Sequence, residues 1–173
     1  YTLNRTTNGV GNVEETPCDE IQILDAGSFY SEDFKGEKIP LLKDLAIEKY
    51  TEFFKEVFDS NLNDISHSFS SWLTGSQKGY SMNIHNHSGA QFAAVFYVLA
   101  DEIDKGGELV AYDPRVNANR GYFGKTAEMF NPIEYTPHTG DVIIMPGYVY
   151  HLVKTYQANL RLAVPVDIFL SNN

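Results

Sequence analysis

From residue 64 to residue 170 the chain breaks into short apolar segments, each closed by residues that favour a turn. Ile65–Leu73, Tyr80–His87, Gln91–Leu99, Glu108–Asp113, Ile133–Thr136, Val142–Met145, Val149–Thr155 and Leu160–Leu170 are rich in residues that suit a pleated, half-buried surface. Gly75, Ser88-Gly89, Lys105-Gly106-Gly107, the run from Pro137 to Gly140, Pro146-Gly147 and Gln157-Ala158-Asn159 punctuate them. Strands this short cannot bury a face alone. About eight of them at this spacing predict two packed sheets, a jelly roll.

One stretch departs from that pattern. From Pro40 to Phe58, the residues Leu42, Leu45, Ala46, Tyr50, Phe53, Phe54 and Val57 recur at three- and four-residue spacing, which predicts an amphipathic helix. Lys43, Asp44, Glu48 and Lys55 fill its other face, and Pro40 suits the start of a helix. Such a helix is expected to buttress a sheet. Residues 1–20 are polar and read as an irregular arm, with Glu20–Leu24 a candidate first strand. Pro114–Pro132 reads as a long loop of the kind that covers or contacts a substrate. The expected organisation is a single, mainly β domain over 1–173, with the arm at 1–20, the helix at 40–58 and the β core at 64–173.

The formal net charge of −10 argues against a nucleic-acid or anionic-membrane partner, since both need a basic face. It leaves room for a small anion held by one or two local cations. Cys18 is the only cysteine, which excludes an intramolecular disulfide and a cysteine-rich zinc module. No apolar run is long enough to span a bilayer, and a cytoplasmic location is expected. Oligomeric state and substrate identity are not legible in the sequence.

Five histidines occur, and three fall where β-strands are expected. On a strand, residues i and i+2 share a face, so His85 and His87 are expected to project together, ~7 Å apart at the backbone. His151 lies in an apolar strand between Val149-Tyr150 and Leu152-Val153 and is the best third partner for a shared metal ion. The alternative is a pair of surface histidines on an edge strand. His67 and His138 lack such company and read as ordinary surface or core histidines.

Arg161 follows His151 by ten residues, in Leu160-Arg161-Leu162-Ala163-Val164-Pro165-Val166. Leu160, Leu162, Val164 and Val166 share one strand face, which leaves Arg161 on the other with Ala163 and Pro165. A hairpin centred on Tyr156 would set His151 and Arg161 opposite each other, both facing one cavity. A guanidinium there needs a partner, and a bidentate carboxylate suits it. The alternative partner is an internal acid such as Asp167 or Glu108.

With those residues placed, the stretch from about Trp72 to Phe169 resembles the 2-oxoglutarate- and Fe(II)-dependent oxygenase superfamily, particularly small prokaryotic and viral members with a His-x-His motif. The resemblance rests on His85-Asn86-His87-Ser88-Gly89-Ala90, Val95-Phe96-Tyr97-Val98, Gly106-Gly107-Glu108-Leu109, Tyr112-Asp113-Pro114-Arg115, Gly140 to Pro146, and His151 with Arg161. It implies a double-stranded β-helix, cupin-like in its jelly-roll core, with the helix packed outside. It implies Fe(II), 2-oxoglutarate and O2 as cofactor and co-substrates, with His85 and His151 as iron ligands. His87 stands where most of the superfamily carries Asp or Glu, so that an all-histidine site would hold one less negative charge. Arg161 would bind the distal carboxylate of 2-oxoglutarate with help from Tyr97, and Ala163 stands where many relatives have Ser. The implied activity is a dioxygenase hydroxylating a peptidyl side chain or a small molecule, with release of succinate and CO2.

Two other readings remain at this point. Gly79, His85-x-His87 and Gln91, then Gly140, Pro146 and His151, approximate the two motifs of a metal-binding cupin that does not use 2-oxoglutarate. The tyrosines (Tyr80, Tyr97, Tyr112, Tyr122, Tyr148, Tyr150) suit a non-catalytic β-sandwich binding module without stoichiometric metal.

Overall fold

A computed structural model describes residues 38–100, 104–115 and 128–171. The expected arm at 1–20, the candidate strand Glu20–Leu24, Cys18 and residues 116–127 of the long loop lie outside these residues. The helix, α1, runs Lys38–Phe58, so Pro40 falls in its first turn, where a missing N–H costs nothing. It ends where Asp59 adopts a left-handed conformation (φ 50°) and donates its N–H to the Lys55 carbonyl at 3.2 Å.

Nine strands follow among the described residues: β1 (Ser66–Ser71), β2 (Thr74–Ser76), β3 (Met82–His85), β4 (Phe92–Leu99), β5 (Leu109–Ala111), β6 (Ile133–Tyr135), β7 (Val142–Pro146), β8 (His151–Val153) and β9 (Arg161–Ser171). All pair antiparallel. One sheet has the order β1-β9-β4-β7, with β2 also on β9; the other has the order β3-β8-β5-β6. Gly75, expected as a turn, lies inside β2, opposite Leu162 of β9.

The expected hairpin joining His151 to Arg161 does not form. β8 pairs with β3 and β5, whereas β9 pairs with β1, β2 and β4, so the two residues sit in different sheets. The connection between them crosses from one sheet to the other. Tyr156 anchors that crossing, its N–H donating to the Tyr80 carbonyl and its carbonyl accepting from Gly79, both at 2.7 Å.

Alternation along β9 separates two cores. Val164, Val166 and Ile168 are buried against Ala46, Tyr50 and Phe54 of α1, together with Ala94 and Phe96 of β4. This is the buttress that the helical spacing predicts. Arg161, Ala163 and Pro165 face the other way, into a cavity between the sheets that Val95 and Tyr97 of β4, Leu109 of β5 and His151 of β8 also line. The double wall fixes the cavity: one sheet is braced from behind by α1, and the other closes over its front.

The Tyr50 hydroxyl ties the helix to the sheet. Tyr50 is fully buried, and its hydroxyl donates to the Val166 carbonyl at 2.7 Å. Tyr50→Phe is expected to lower stability by about 1 kcal/mol, the usual net worth of such a bond, in urea denaturation of the whole chain. No helix among the described residues is long and apolar enough to cross a membrane.

Candidate metal centre and anion pocket

β3 and β8 bring the first two histidines together. His85 ends β3 directly opposite His151, the first residue of β8, and their ring centroids are 4.3 Å apart. Each ring is held by the same local device. Nδ1 of His85 lies 2.8 Å from the Asn83 carbonyl, and Nδ1 of His151 lies 3.0 Å from the Val149 carbonyl, two residues back in each case. Each Nδ1 donates its proton there, so Nε2 carries the lone pair. Burial pushes the His85 pKa down against the Asn83 carbonyl, and pushes His151 down to about 4. Both rings are therefore neutral near pH 7, the form that ligates a metal.

His87 arrives differently. Strand β3 ends at His85, so the expected i, i+2 sharing of a strand face does not apply. The chain instead turns, and His87 is placed by backbone contacts: its N–H donates to the Gly147 carbonyl at 2.9 Å, while its own carbonyl accepts from Ala90 at 3.1 Å. Its ring lies nearly parallel to that of His151, with centroids 5.1 Å apart and planes at 8°, and Trp72 stacks on it at 5.8 Å and 25°. The ligand atoms of His85, His87 and His151 lie within 4.8 Å of one another. Three nitrogens about 2.1 Å from one ion in a tetrahedral arrangement stand about 3.4 Å apart, so each would move by up to roughly an ångström to share an ion.

Gly147 makes this approach feasible. A Cβ there would stand 2.1 Å from the Ala90 carbonyl oxygen and 3.0 Å from that of His87. Gly147→Ala is therefore expected to push away the 87–90 turn, destabilising the fold by about 1–3 kcal/mol. Metal affinity should fall with it, read by Co(II) titration beside urea denaturation.

Arg161 opens β9 and is only 4% exposed. Its Nη1 donates to the Gly107 carbonyl, and its guanidinium lies 5.0 Å from the Tyr156 ring centre and 5.9 Å from that of Tyr97. Gly107 has φ 82°, and a Cβ on it would come within 2.5 Å of Arg161 Nη1. Burial lowers the Arg161 pKa, opposed by the neighbouring tyrosines, but a guanidinium stays charged. Burial likewise pushes the Tyr97 hydroxyl up to about 12 against the pull of Arg161, so it remains protonated.

Neither expected acid partner reaches Arg161. No ion pair to it forms among the described residues, and Asp167 instead lies 2.7 Å from His87 Nδ1. The hairpin premise failed, yet its consequence holds: His85, His87, His151, Tyr97 and Arg161 line one cavity.

Two buried side-chain atoms among the described residues lack a hydrogen-bond partner, Arg161 Nε and Asp167 Oδ1. Oδ1 is the atom close to His87 Nδ1, at 2.7 Å, but the two do not form an aligned hydrogen bond. One orphan is cationic and the other anionic. The donor set thus fits a divalent cation at the imidazoles and a carboxylate at Arg161.

Comparison with known proteins agrees. The sequence profile of the 2OG-Fe(II) oxygenase family matches residues 70–167, more than half of the chain. The chain belongs to this family. Among solved structures it is similar to a 2OG-Fe(II) oxygenase family oxidoreductase of Burkholderia pseudomallei (TM-score 0.56, 19% identity, 78% of this chain and 56% of that one). It is also similar to a prolyl-4-hydroxylase of Pseudomonas putida (0.55, 13%, 80% and 65%). A prolyl hydroxylase of Trichoplax adhaerens, in complex with a hypoxia-inducible-factor peptide fragment, is a third (0.57, 14%, 85% and 61%). The chain spans less than two thirds of each neighbour, and the likeness establishes a double-stranded β-helix. Separately, 41 residues are 51% identical to glycerophosphodiester phosphodiesterases of Bacillus subtilis and Caldanaerobacter subterraneus, 24% of this chain and 17% of those proteins.

Sequence reasoning missed three parts of this oxygenase site. Trp72 clamps His87, Gly147 admits it, and Asp167 backs it. The alternation of β9 was the available signal for Asp167, which continues the inward set Arg161, Ala163 and Pro165.

Proposed function

We propose that this oxygenase binds Fe(II) through His85, His87 and His151, and binds 2-oxoglutarate with its distal carboxylate on Arg161. The supporting observation is the buried guanidinium whose Nε has no protein partner, in the cavity that the three imidazoles line. A bidentate carboxylate satisfies both its charge and its open donor. Bound iron would supply the O2 activation that couples decarboxylation of the 2-oxo acid to oxidation of a substrate. The chain's own residues do the rest.

Gly107 and the faces of Tyr97 and Tyr156 hold the guanidinium in one orientation, so the co-substrate meets a preset socket. Tyr97, protonated, offers a hydroxyl beside it. Thr74 lies opposite Ala163, and Ser76 opposite Arg161, on the neighbouring strand. Both line the cavity and are buried, and they bring hydroxyls to the wall where Ala163 has none. Val95, Leu109 and Val153 make the remaining wall apolar and keep water out.

The reaction is hydroxylation of a peptidyl side chain or a small molecule, with release of succinate and CO2. The prolyl hydroxylases among the structural neighbours favour the peptide class. A metal-binding cupin without 2-oxoglutarate leaves the unpaired guanidinium unexplained. The short match to phosphodiesterases spans too little of those proteins to bring an activity with it.

The test is succinate formation from 2-oxoglutarate under air with Fe(II) and a proline-containing peptide library. Succinate that depends on Fe(II), together with a hydroxyl-sized mass gain on a peptide, is the expected result. Fe(II)-dependent succinate without any peptide product would move the substrate to a small molecule. No succinate under any condition would overturn the reading.

A further inference from the structure

Three neutral imidazoles leave a divalent ion with both its charges uncompensated by direct ligands, whereas two histidines and a carboxylate offset one. The chain nonetheless places a carboxylate next to this site. Asp167 has a side chain only 11% exposed, and its Oδ1 stands 2.7 Å from His87 Nδ1. His87 is the one histidine of the three whose Nδ1 faces an acid; the other two face backbone carbonyls.

Resting on the reading of His87 as a metal ligand, we propose that Asp167 is a positioning residue that supplies the site's missing negative charge through the His87 ring. The geometry supports this in three ways. Asp167 sits on the inward face of β9, opposite Ala93 of β4 and Ser70 of β1, two small residues that leave room for it. The His87 ring is clamped between Trp72 and His151, which fixes its plane and leaves its Nδ1 edge to Asp167. Finally, Oδ1 is buried without an aligned donor, a costly state for a carboxylate unless positive charge lies close by. An ion on Nε2, across the ring, provides that charge. The Asp167 carboxylate in turn offsets part of the ion's charge from across the ring.

A purely structural role makes the opposite prediction for the metal-free protein. If Asp167 held the fold together, its loss would lower stability; if it waits for a cation, removing its charge leaves the metal-free protein as stable or more so. The experiment compares wild type, His87→Ala, Asp167→Asn, His87→Asp and the double variant His87→Asp/Asp167→Asn. Each is titrated with Co(II), read by its visible ligand-field spectrum, and the Tm of each metal-free protein is measured.

Asp167→Asn is expected to weaken Co(II) binding about 10- to 100-fold, the usual effect of losing a residue behind a metal ligand, without lowering the metal-free Tm. His87→Asp alone binds poorly, because its new carboxylate adjoins Asp167; adding Asp167→Asn restores affinity by about tenfold or more. Asp167→Asn within about threefold of wild type, a lower metal-free Tm or failure to fold in that variant, or no recovery in the double variant overturns the proposal. If His87→Ala binds Co(II) as wild type does, His87 is no ligand, and the reading beneath the proposal fails with it.

Discussion

Arg161→Leu is expected to weaken 2-oxoglutarate binding strongly and to leave metal binding in place. The guanidinium is buried, held by the Gly107 carbonyl and two tyrosine rings, and among the described residues its Nε has no hydrogen-bond partner and no acid pairs with it. Leucine fills much of the same space without charge. Losing one partner of a buried, hydrogen-bonded ion pair costs about 2–5 kcal/mol, so affinity for 2-oxoglutarate should fall at least about thirtyfold. Stability should not fall with it, because the variant also removes a charge whose burial is unfavourable in the ligand-free protein. Calorimetric titration of 2-oxoglutarate into Mn(II)-loaded protein under nitrogen reads the first effect, and thermal unfolding reads the second. Equal affinity in the two proteins would remove Arg161 from the site.

His151→Ala has the second large effect, on the metal. His151 faces His85 across β3 and β8 and stacks on His87, so it packs against both other rings. Its removal should weaken Co(II) binding by more than about a hundredfold, beyond the range for residues that act behind a ligand. A second signature comes from its pKa of about 4 in the folded chain, below the ordinary 6.5 because of burial. Above pH 6.5 neither the folded nor the unfolded state protonates this ring. As pH falls from 6.5 to about 4, the unfolded state gains a proton that the folded state resists, and the metal-free protein loses stability across that window. Metal-free wild type should show this decline in urea denaturation between pH 7 and 4, and His151→Ala should show a flatter profile.

Much of this site was legible locally, because strand alternation is a local property. The period of two along 160–168 sorted Arg161 and Ala163 from Val164 and Val166, and the period of three to four along 40–58 marked the helix that braces the sheet. Strand partnership is not local. The segment after His151 looked like a hairpin because short turns usually join neighbours, but Tyr156 carries the chain across to the other sheet. The His87 backbone sits outside any strand, so pleat alternation gave a sound expectation about convergence for a reason that does not hold. The close approach of Gly147 to the turn at 87–90 joins positions more than fifty residues apart, which no local pattern encodes.

Asp167 shows the same limit. Its inward face was readable, and pairing it with Arg161 was natural for two opposite charges on one face. In the folded chain Arg161 opens β9 and Asp167 lies six residues further on, about 20 Å away along the strand. One reaches the metal end of the cavity and the other the anion end. That separation of charges leaves the stretch between them for the proposed cation and anionic co-substrate.

Three histidines and one arginine are proposed to form a single Fe(II)–2-oxoglutarate site. Its most direct test is an anaerobic titration of 2-oxoglutarate into Fe(II)-loaded protein, followed by the weak visible charge-transfer absorption of an iron-chelated 2-oxo acid. A band that saturates at one equivalent and is lost in both Arg161→Leu and His151→Ala is the expected result. Stoichiometric metal binding with no band at any 2-oxoglutarate concentration would contradict it.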